Sequence, residues 1–283
     1  MKTYKDILEY IRNYKAEYKK FQSSPEKIKY RAELVKYNRD KGTYGNGDKK
    51  DASHKGGKIV GFEAQSKNRG RAEASRVVLS LANLDWNDNE IDGEEYGRMK
   101  HNGELPWGMV PILRTADGVL AESAAILRYI GDMAGLTPTD AFLAAKVDEF
   151  IDGVEPFSQV LRGTFAIEDV DERTRLRQAV FKEDGEGTKN LKLLEEKIAE
   201  STTGWVASTS DMNIADLKVF TDLFGLFSGN FDGVDKATLA DYPGLLQYHD
   251  KVANEPRIKA HYANLPEGSL RWTYQPGAFA DLI

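Results

Sequence analysis

The segment from residue 105 to residue 130 constrains the fold of this chain most. It reads Leu-Pro-Trp-Gly-Met-Val-Pro-Ile-Leu at 105–113 and continues with Asp-Gly-Val-Leu-Ala-Glu-Ser at 117–123. Pro111 precedes an apolar run, where a proline would remove a ladder hydrogen bond unless the chain needs a bend or a cis peptide bond. Apolar residues with helical spacing follow from residue 123. The segment therefore predicts a strand, a turn, a second strand and a helix.

Glu122 and Ser123 stand where that helix begins. The first N–H groups of a helix have no partner within it and carry a partial positive charge, so they can bind a small carboxylate. Ser123 adds a hydroxyl donor, and Glu122 adds an acceptor for an ammonium group. The pair fits the amino-acid end of a ligand; the alternative is that both residues only cap the helix.

Three motifs together resemble the cytosolic glutathione transferases, nearest to the sigma class of prostaglandin D synthases. The first is the segment just described, the second is Arg-Gly-Arg-Ala-Glu at 69–73, and the third is Met-Asn-Ile-Ala-Asp-Leu at 212–217. The resemblance covers roughly residues 58–266 and keeps the family's order of motifs. It implies an α/β thioredoxin-like domain, an all-α domain, and glutathione as cosubstrate or cofactor.

The resemblance implies that the 105–130 segment binds glutathione. Pro111 would be cis, and the backbone of Val110, next to Met109, would pair with the cysteinyl residue of glutathione as a short added strand. Glu122 and Ser123 would hold its γ-glutamyl end.

Tyr96 and Lys100 are implied at the other end of glutathione. The sigma class has an aromatic residue and, four residues later, a lysine before the Val-Pro step, and this pair matches that spacing with Tyr in place of Trp. Lys100 would then neutralise the glycine carboxylate. The alternative for this pair is a solvated loop.

The chain departs from the family at the group that activates the sulfur. The sigma class has a tyrosine on its first strand, whose hydroxyl stabilises the glutathione thiolate. Alignment on the strand places Gly61 there, and alignment on the Arg-Gly-Arg motif places Gln65 there. Ser66 is the nearest hydroxyl, and Arg71 matches the arginine that supports the family's tyrosine and would act here as a bare positive charge. Ser66 and Arg71 are therefore the candidate catalytic residues.

Two functions stay open on this evidence. One is an enzyme that conjugates or isomerises a small hydrophobic electrophile with glutathione, in a pocket that we expect Phe157, Leu161 and Phe165 to line. The other is a non-catalytic binding protein or a structural subunit of a larger assembly, as the superfamily also supplies. The missing tyrosine favours the second, and the retained Glu122 and Ser123 favour the first.

Composition narrows the chemistry further. The chain has no cysteine, which excludes disulfides, thiolate metal sites and cysteine nucleophiles, and its four histidines lack metal-ligand spacing. It has no apolar run of membrane-spanning length and no recognisable targeting signal, so we expect a cytoplasmic protein. The resemblance adds a homodimer to these expectations.

Charge separates the beginning of the chain from the rest. Residues 1–58 contain 16 of the 39 Lys and Arg residues but only 8 of the 45 Asp and Glu residues, so the remainder is acidic and disfavours nucleic acid as a partner. A helical stripe of apolar residues in the first 22 positions predicts an arm that docks on the acidic body, on a dimer mate or on another protein. The alternative is a disordered basic tail.

These patterns predict four parts of the chain. We expect a first strand at 58–62, a second strand at 86–91, and a buried capping box formed by Asn213 and Asp216. The predicted parts are a helical extension and linker (1–57), a thioredoxin-like domain (58–136), an all-helical domain (140–266) and a C-terminal tail (267–283).

Overall fold

The structure is a computed structural model that describes residues 50–55, 58–64, 70–82, 84–265 and 269–283. The predicted apolar stripe near the N-terminus and Ser66 lie outside these residues. The chain divides into two compact units, Met1–Gln65 and Ser66–Ile283. The sequence places the first boundary at residue 58, and all four predicted parts stay predictions.

The first unit contains an antiparallel pair of strands, β1 (Lys50–Lys55) and β2 (Lys58–Ala64), with Lys50 opposite Ala64. Strand β2 contains the predicted strand at 58–62. Strand β1, however, lies in the segment predicted to be a linker. The two residues between the strands are both glycines, a sequence that is typical of short hairpin connections and that could have corrected the linker prediction.

Among its described residues, the thioredoxin-like part of the second unit contains three helices and one antiparallel pair of strands. Ile112 pairs with Ala121 and Thr115 pairs with Gly118, which confirms the predicted strand, turn, strand and helix. The elements are α1 (Gly70–Leu81), α2 (Gly93–His101), β3 (Ile112–Thr115), β4 (Gly118–Ala121) and α3 (Ser123–Met133).

The predicted strand at 86–91 is wrong, because residues 84–92 have no regular secondary structure. Asn87, Asp88 and Asn89 occupy its centre, and Asn and Asp are disfavoured in strands. Asp88 is instead held by Arg76 of α1, whose Nε donates to its Oδ2 at 2.9 Å. The segment therefore lies against the first helix as an irregular connection.

The remainder of the second unit is helical, as predicted. The segment 157–165, within the predicted all-helical domain, is less regular: it holds the end of a short helix at Glu155–Ser158 and a 3₁₀ turn at Arg162–Thr164, where Gly163 weakens helix formation. The helices are α4 (Ala141–Gly153), α5 (Glu155–Ser158), α6 (Val170–Val180), α7 (Glu186–Ala199), α8 (Ile214–Leu226), α9 (Pro243–Ala253), α10 (Pro256–Ala263) and α11 (Ser269–Thr273). No helix in these described stretches is long and apolar enough to cross a membrane.

Helix α8 is the centre of the core, and nearly all of its residues are buried. Asn213 caps it and forms a reciprocal capping box with Asp216, which confirms the predicted pair. The Asp216 carboxylate also accepts hydrogen bonds from the Val206 N–H at 2.9 Å and the Tyr248 hydroxyl at 3.0 Å. Burial nevertheless raises the pKa of Asp216 to about 7, although these donors oppose the shift.

The C-terminal tail packs against α8 and the residues that follow it. The Tyr274 hydroxyl donates to the Thr221 carbonyl at 2.9 Å, and the Trp272 indole donates to the Ser228 carbonyl at 3.2 Å. The Phe279 ring meets the His249 ring edge to face, with centroids 4.9 Å apart. The tail therefore completes the core of the helical part.

Candidate functional site

Glu122, which directly precedes α3, has an unusual backbone conformation. Its φ is 70° and its ψ is 116°, a region that costs energy for any residue with a side chain and that often marks a functional position. Its side chain makes no capping hydrogen bond and is exposed. Among the described residues its carboxylate has no hydrogen-bond or ion-pair partner. Helix capping therefore does not account for Glu122.

Ser123 is the first residue of α3, and only 6% of its surface is exposed. The Glu122 carbonyl accepts the first helical hydrogen bond, from the Ile126 N–H at 2.9 Å, so the N–H of Ser123 belongs to the first turn and has no acceptor within the helix. A hydroxyl and helix N–H groups thus lie next to an exposed carboxylate. This arrangement offers donors for a carboxylate and an acceptor for an ammonium group.

The Val110–Pro111 peptide bond is cis, as predicted. The β3–β4 ladder begins at Ile112, so the N–H and C=O of Val110 lie outside it. Met109, immediately before, is half exposed. The backbone at Val110 is therefore available to an extended ligand that approaches the beginning of β3.

Tyr96 and Lys100 lie on α2 and not in a loop. The Tyr96 hydroxyl donates to the Gly108 carbonyl at 2.9 Å and lies 3.6 Å from the Met109 sulfur. Lys100 is exposed, with its Nζ 5.8 Å from the centre of the Tyr96 ring. Tyr96 thus fixes the chain that leads to Val110, and Lys100 presents a cation beside it.

Arg71 lies in the first turn of α1 and is not the unpaired positive charge that the sequence suggested. Its Nη2 lies 2.6 Å from Oε1 of Glu155, the first residue of α5, and the Arg71 side chain is 40% exposed. The carboxylate neutralises part of the field that Arg71 would exert on a bound thiolate. Ser66, the other candidate catalytic residue, lies outside the described residues.

Glu155 also connects Arg71 to buried charges on α8. Its Oε2 lies 3.1 Å from Nζ of Lys218, and Lys218 forms a second ion pair with Asp222. Burial alone would raise the pKa of Glu155, but Lys218 and Arg71 hold it below its ordinary value. Burial alone would lower the pKa of Lys218, but Asp222 and Glu155 hold it above its ordinary value. Glu155 and Lys218 are therefore both charged at neutral pH.

This group of charges was not predicted from the sequence. A lysine and an aspartate four residues apart in the mostly apolar run of α8 were the available signal. The three residues expected to line the electrophile pocket differ in their environments. Phe157 and Leu161 are 1% exposed core residues, whereas Phe165 is 59% exposed and lies against Phe231.

Two family profiles match the chain. The profile described as "Glutathione S-transferase, N-terminal domain" matches residues 67–132, and "Glutathione S-transferase, C-terminal domain" matches residues 157–264. The first covers α1 to α3 and the second covers most of the helical part. The candidate site residues between 96 and 123 all lie within the first match.

Two similar sequences and two similar structures agree with the profiles. Glutathione S-transferase 1 of Ascaris suum is 30% identical over 204 residues, which is 70% of this chain and 93% of that protein. Hematopoietic prostaglandin D synthase of Gallus gallus is 28% identical over 210 residues, which is 71% of this chain and 94% of that protein.

Among solved structures, the glutathione S-transferase from Ascaris lumbricoides superposes with a TM-score of 0.57 at 28% identity, covering 71% of this chain and 95% of that one. Rat hPGDS complexed with a quinoline superposes with a TM-score of 0.60 at 22% identity, covering 71% of this chain and 94% of that one. The shared architecture is a thioredoxin-like N-terminal domain followed by a helical C-terminal domain.

Proposed function

Because this chain belongs to the glutathione S-transferase family, we propose that it binds glutathione at the start of α3 and uses it to conjugate or isomerise a small hydrophobic electrophile. The observation that carries the proposal is the conformation of Glu122. Its backbone adopts a costly geometry, yet its carboxylate is neither a cap nor part of an ion pair among the described residues. Binding of an ammonium group would explain why the chain keeps this costly backbone geometry.

The proposed pose follows the chemistry of each group. The γ-glutamyl ammonium pairs with the Glu122 carboxylate, and the adjacent carboxylate accepts from the Ser123 hydroxyl and the first N–H groups of α3. The cysteinyl backbone pairs with Val110. The glycine carboxylate meets the exposed ammonium of Lys100.

Activation of the sulfur is the step at which this chain departs from its family, since no tyrosine occupies the family's position. We assign it to Ser66 and Arg71. The pairing of Arg71 with Glu155 supports weak activation, because a neutralised guanidinium stabilises a thiolate less than a free one. The same pairing favours the second candidate function, a glutathione-binding or structural subunit without turnover.

Calorimetry with glutathione and turnover of a generic aromatic electrophile, measured on the same preparation, separate these functions. Glu122→Gln and Ser123→Ala should each weaken glutathione binding by about 1–3 kcal/mol. Glu196→Gln, at an exposed position of α7, is the matched control and should leave binding unchanged. Binding without turnover would select the second candidate. No binding by the unmutated chain would contradict the site and leave only the fold.

A homodimer, a cytoplasmic location and a docking role for residues 1–57 complete the proposal. The family supports the dimer, and exposed apolar residues of the thioredoxin-like domain, Trp107 and Met133 among them, are candidates for its interface. Light scattering of the full chain tests the dimer, and imaging of a tagged chain tests the location. Deletion of residues 1–57 should leave a glutathione-binding core that has lost a partner or some stability.

A further inference from the structure

Four side chains of alternating charge connect α1 to the core of the helical part: Arg71, Glu155, Lys218 and Asp222. We refer to them as the ionic chain. Arg71 and Lys218 bind different oxygens of the Glu155 carboxylate, at 2.6 and 3.1 Å, and Lys218 also pairs with Asp222. The charge is partly exposed at Arg71 and fully buried at Lys218 and Asp222, whose side chains are 3% and 5% exposed.

Neutral groups complete the hydrogen bonding around the ionic chain. The Gln159 amide donates to Glu155 Oε1 at 2.9 Å, and the Ser158 hydroxyl donates to Asp222. The nearest further charge on α1, Glu73, accepts from the Tyr262 hydroxyl at 3.1 Å and pairs with Arg76. The ionic chain is thus a defined unit with a polar shell.

Stability alone is a poor explanation for this unit. A buried ion pair must overcome a desolvation cost of several kcal/mol per ion, and apolar replacements of similar volume are often neutral or stabilising. Lys218 and Asp222 lie on α8, whose other buried side chains are mostly apolar. What the pair does achieve is to hold Glu155 charged and in place against Arg71.

We propose that Glu155 and Lys218 are positioning residues that set the electrostatic field of Arg71 at the glutathione sulfur. This inference rests on the function proposed above. Glu155 orients the guanidinium and cancels part of its charge. Lys218 keeps Glu155 ionised, and its own positive charge adds to the positive potential at the sulfur. Asp222 neutralises part of the charge of Lys218. The two residues therefore act on the sulfur in opposite directions.

Titration of the thiolate absorbance of bound glutathione tests this directly. Glu155→Gln keeps an acceptor for Arg71 but removes a negative charge, so the thiol pKa should fall by roughly half a unit at physiological salt. Lys218→Met removes a positive charge, so the thiol pKa should rise by roughly the same amount. The charge-balanced double variant Lys218→Met/Asp222→Asn should change the thiol pKa little. Glu196→Gln is the remote control.

A lower thiol pKa in Glu155→Gln together with a higher one in Lys218→Met supports the inference. Residues with a merely structural role would leave both pKa values unchanged or raise both. Equal or absent shifts with glutathione still bound would overturn it and leave the proposed function intact. If Lys218→Met does not fold, Asp222→Asn replaces it and should lower the thiol pKa. Glu155 is partly exposed, so its variant should fold, and an unchanged or raised thiol pKa in that variant alone would overturn the inference.

A measurement without glutathione separates this inference from the proposed function. Unfolding free energies of Arg71→Met, Lys218→Met and the double variant form a double-mutant cycle. We expect a coupling between the two cations that disappears in a Glu155→Gln background. If glutathione does not bind, the proposed function and the action on the sulfur both fail, and the cycle still shows whether the ionic chain behaves as one unit. A coupling free energy of zero would show that the ionic chain does not behave as one unit.

Discussion

Tyr262 donates a hydrogen bond of 3.1 Å to the carboxylate of Glu73, which precedes it by 189 residues. Glu73 lies on α1 of the thioredoxin-like domain and Tyr262 on α10 of the helical domain. Both side chains are buried, and Arg76 also pairs with Glu73. The hydrogen bond therefore joins the two domains at a place where water cannot replace it.

Tyr262→Phe should lower the free energy of unfolding by about 1–3 kcal/mol, because the buried, charged carboxylate of Glu73 loses the Tyr262 hydroxyl as one of its donors. The measurement is denaturant unfolding followed by circular dichroism. Tyr274→Phe is the matched comparison: its hydroxyl donates to the neutral Thr221 carbonyl, so about 1 kcal/mol is expected. A larger loss for Tyr274→Phe than for Tyr262→Phe would contradict the assignment of charge to this contact.

Gly131→Ala should destabilise the chain by about 1–3 kcal/mol, because α3 and α8 meet at this glycine. A Cβ at Gly131 would lie 2.4 Å from Ile214 Cγ2, which is well inside van der Waals contact. Gly153→Ala at the end of α4, where a Cβ meets nothing within 4 Å, should instead be neutral or stabilise by up to about 1 kcal/mol. Equal melting temperatures for the two variants would refute the close approach.

Tyr96→Phe should weaken glutathione binding several-fold while lowering the unfolding free energy by only about 1 kcal/mol. The lost hydrogen bond is the one to the Gly108 carbonyl, which holds the chain before Val110. Tyr129→Phe, on the partly exposed surface of α3, is the control and should leave calorimetric affinity unchanged. Unaltered affinity in Tyr96→Phe would show that this hydrogen bond does not shape the site.

His249 should make the chain less stable as the pH falls below about 6.5. Burial lowers its pKa in the folded state, and its ring contacts the Thr273 carbonyl through Nε2 at 2.7 Å. The unfolded chain therefore takes up a proton that the folded chain resists, with a slope of up to about 1.4 kcal/mol per pH unit.

Comparison of unfolding free energies between pH 5 and pH 7 with those of His249→Gln isolates this effect. The raised pKa of Asp216 acts in the opposite direction, since its contribution is lost as the pH rises toward 7, but it is common to both proteins. The stability advantage of the unmutated chain should shrink on acidification. If the unfolding free energies of the two proteins change with pH in parallel, His249 is not buried in its neutral form.

Local motifs allowed much of the fold around the candidate ligand site to be predicted. Pro111, the turn before Gly118 and the helix start at Ser123 are short-range patterns, and the structure confirms the cis bond and the element order. The same holds for the Asn213 and Asp216 capping box. In each case the deciding interactions lie within a few residues of one another.

Features that depend on distant partners were missed. Residues 86–91 were expected to form a strand, but Asp88 pairs with Arg76, twelve residues earlier, and the segment is irregular. Arg71 looked like a free cation because its partner, Glu155, lies 84 residues away. Phe157 was expected to line the electrophile pocket, but it is buried in the core. Its residue type is compatible with both positions, and only the packing distinguishes them. Tertiary contacts of this kind leave little trace in a local pattern.

The burial of α8 has a consequence for how the chain folds. Its residues pack on α1 and α3 and also on α4, α9 and the C-terminal tail, so neither family domain encloses a complete core alone. Stable packing of α8 therefore requires segments that are far apart in sequence, and the entropy cost of bringing them together must be overcome before their contacts form. We expect the two family domains to unfold as one cooperative unit rather than as two.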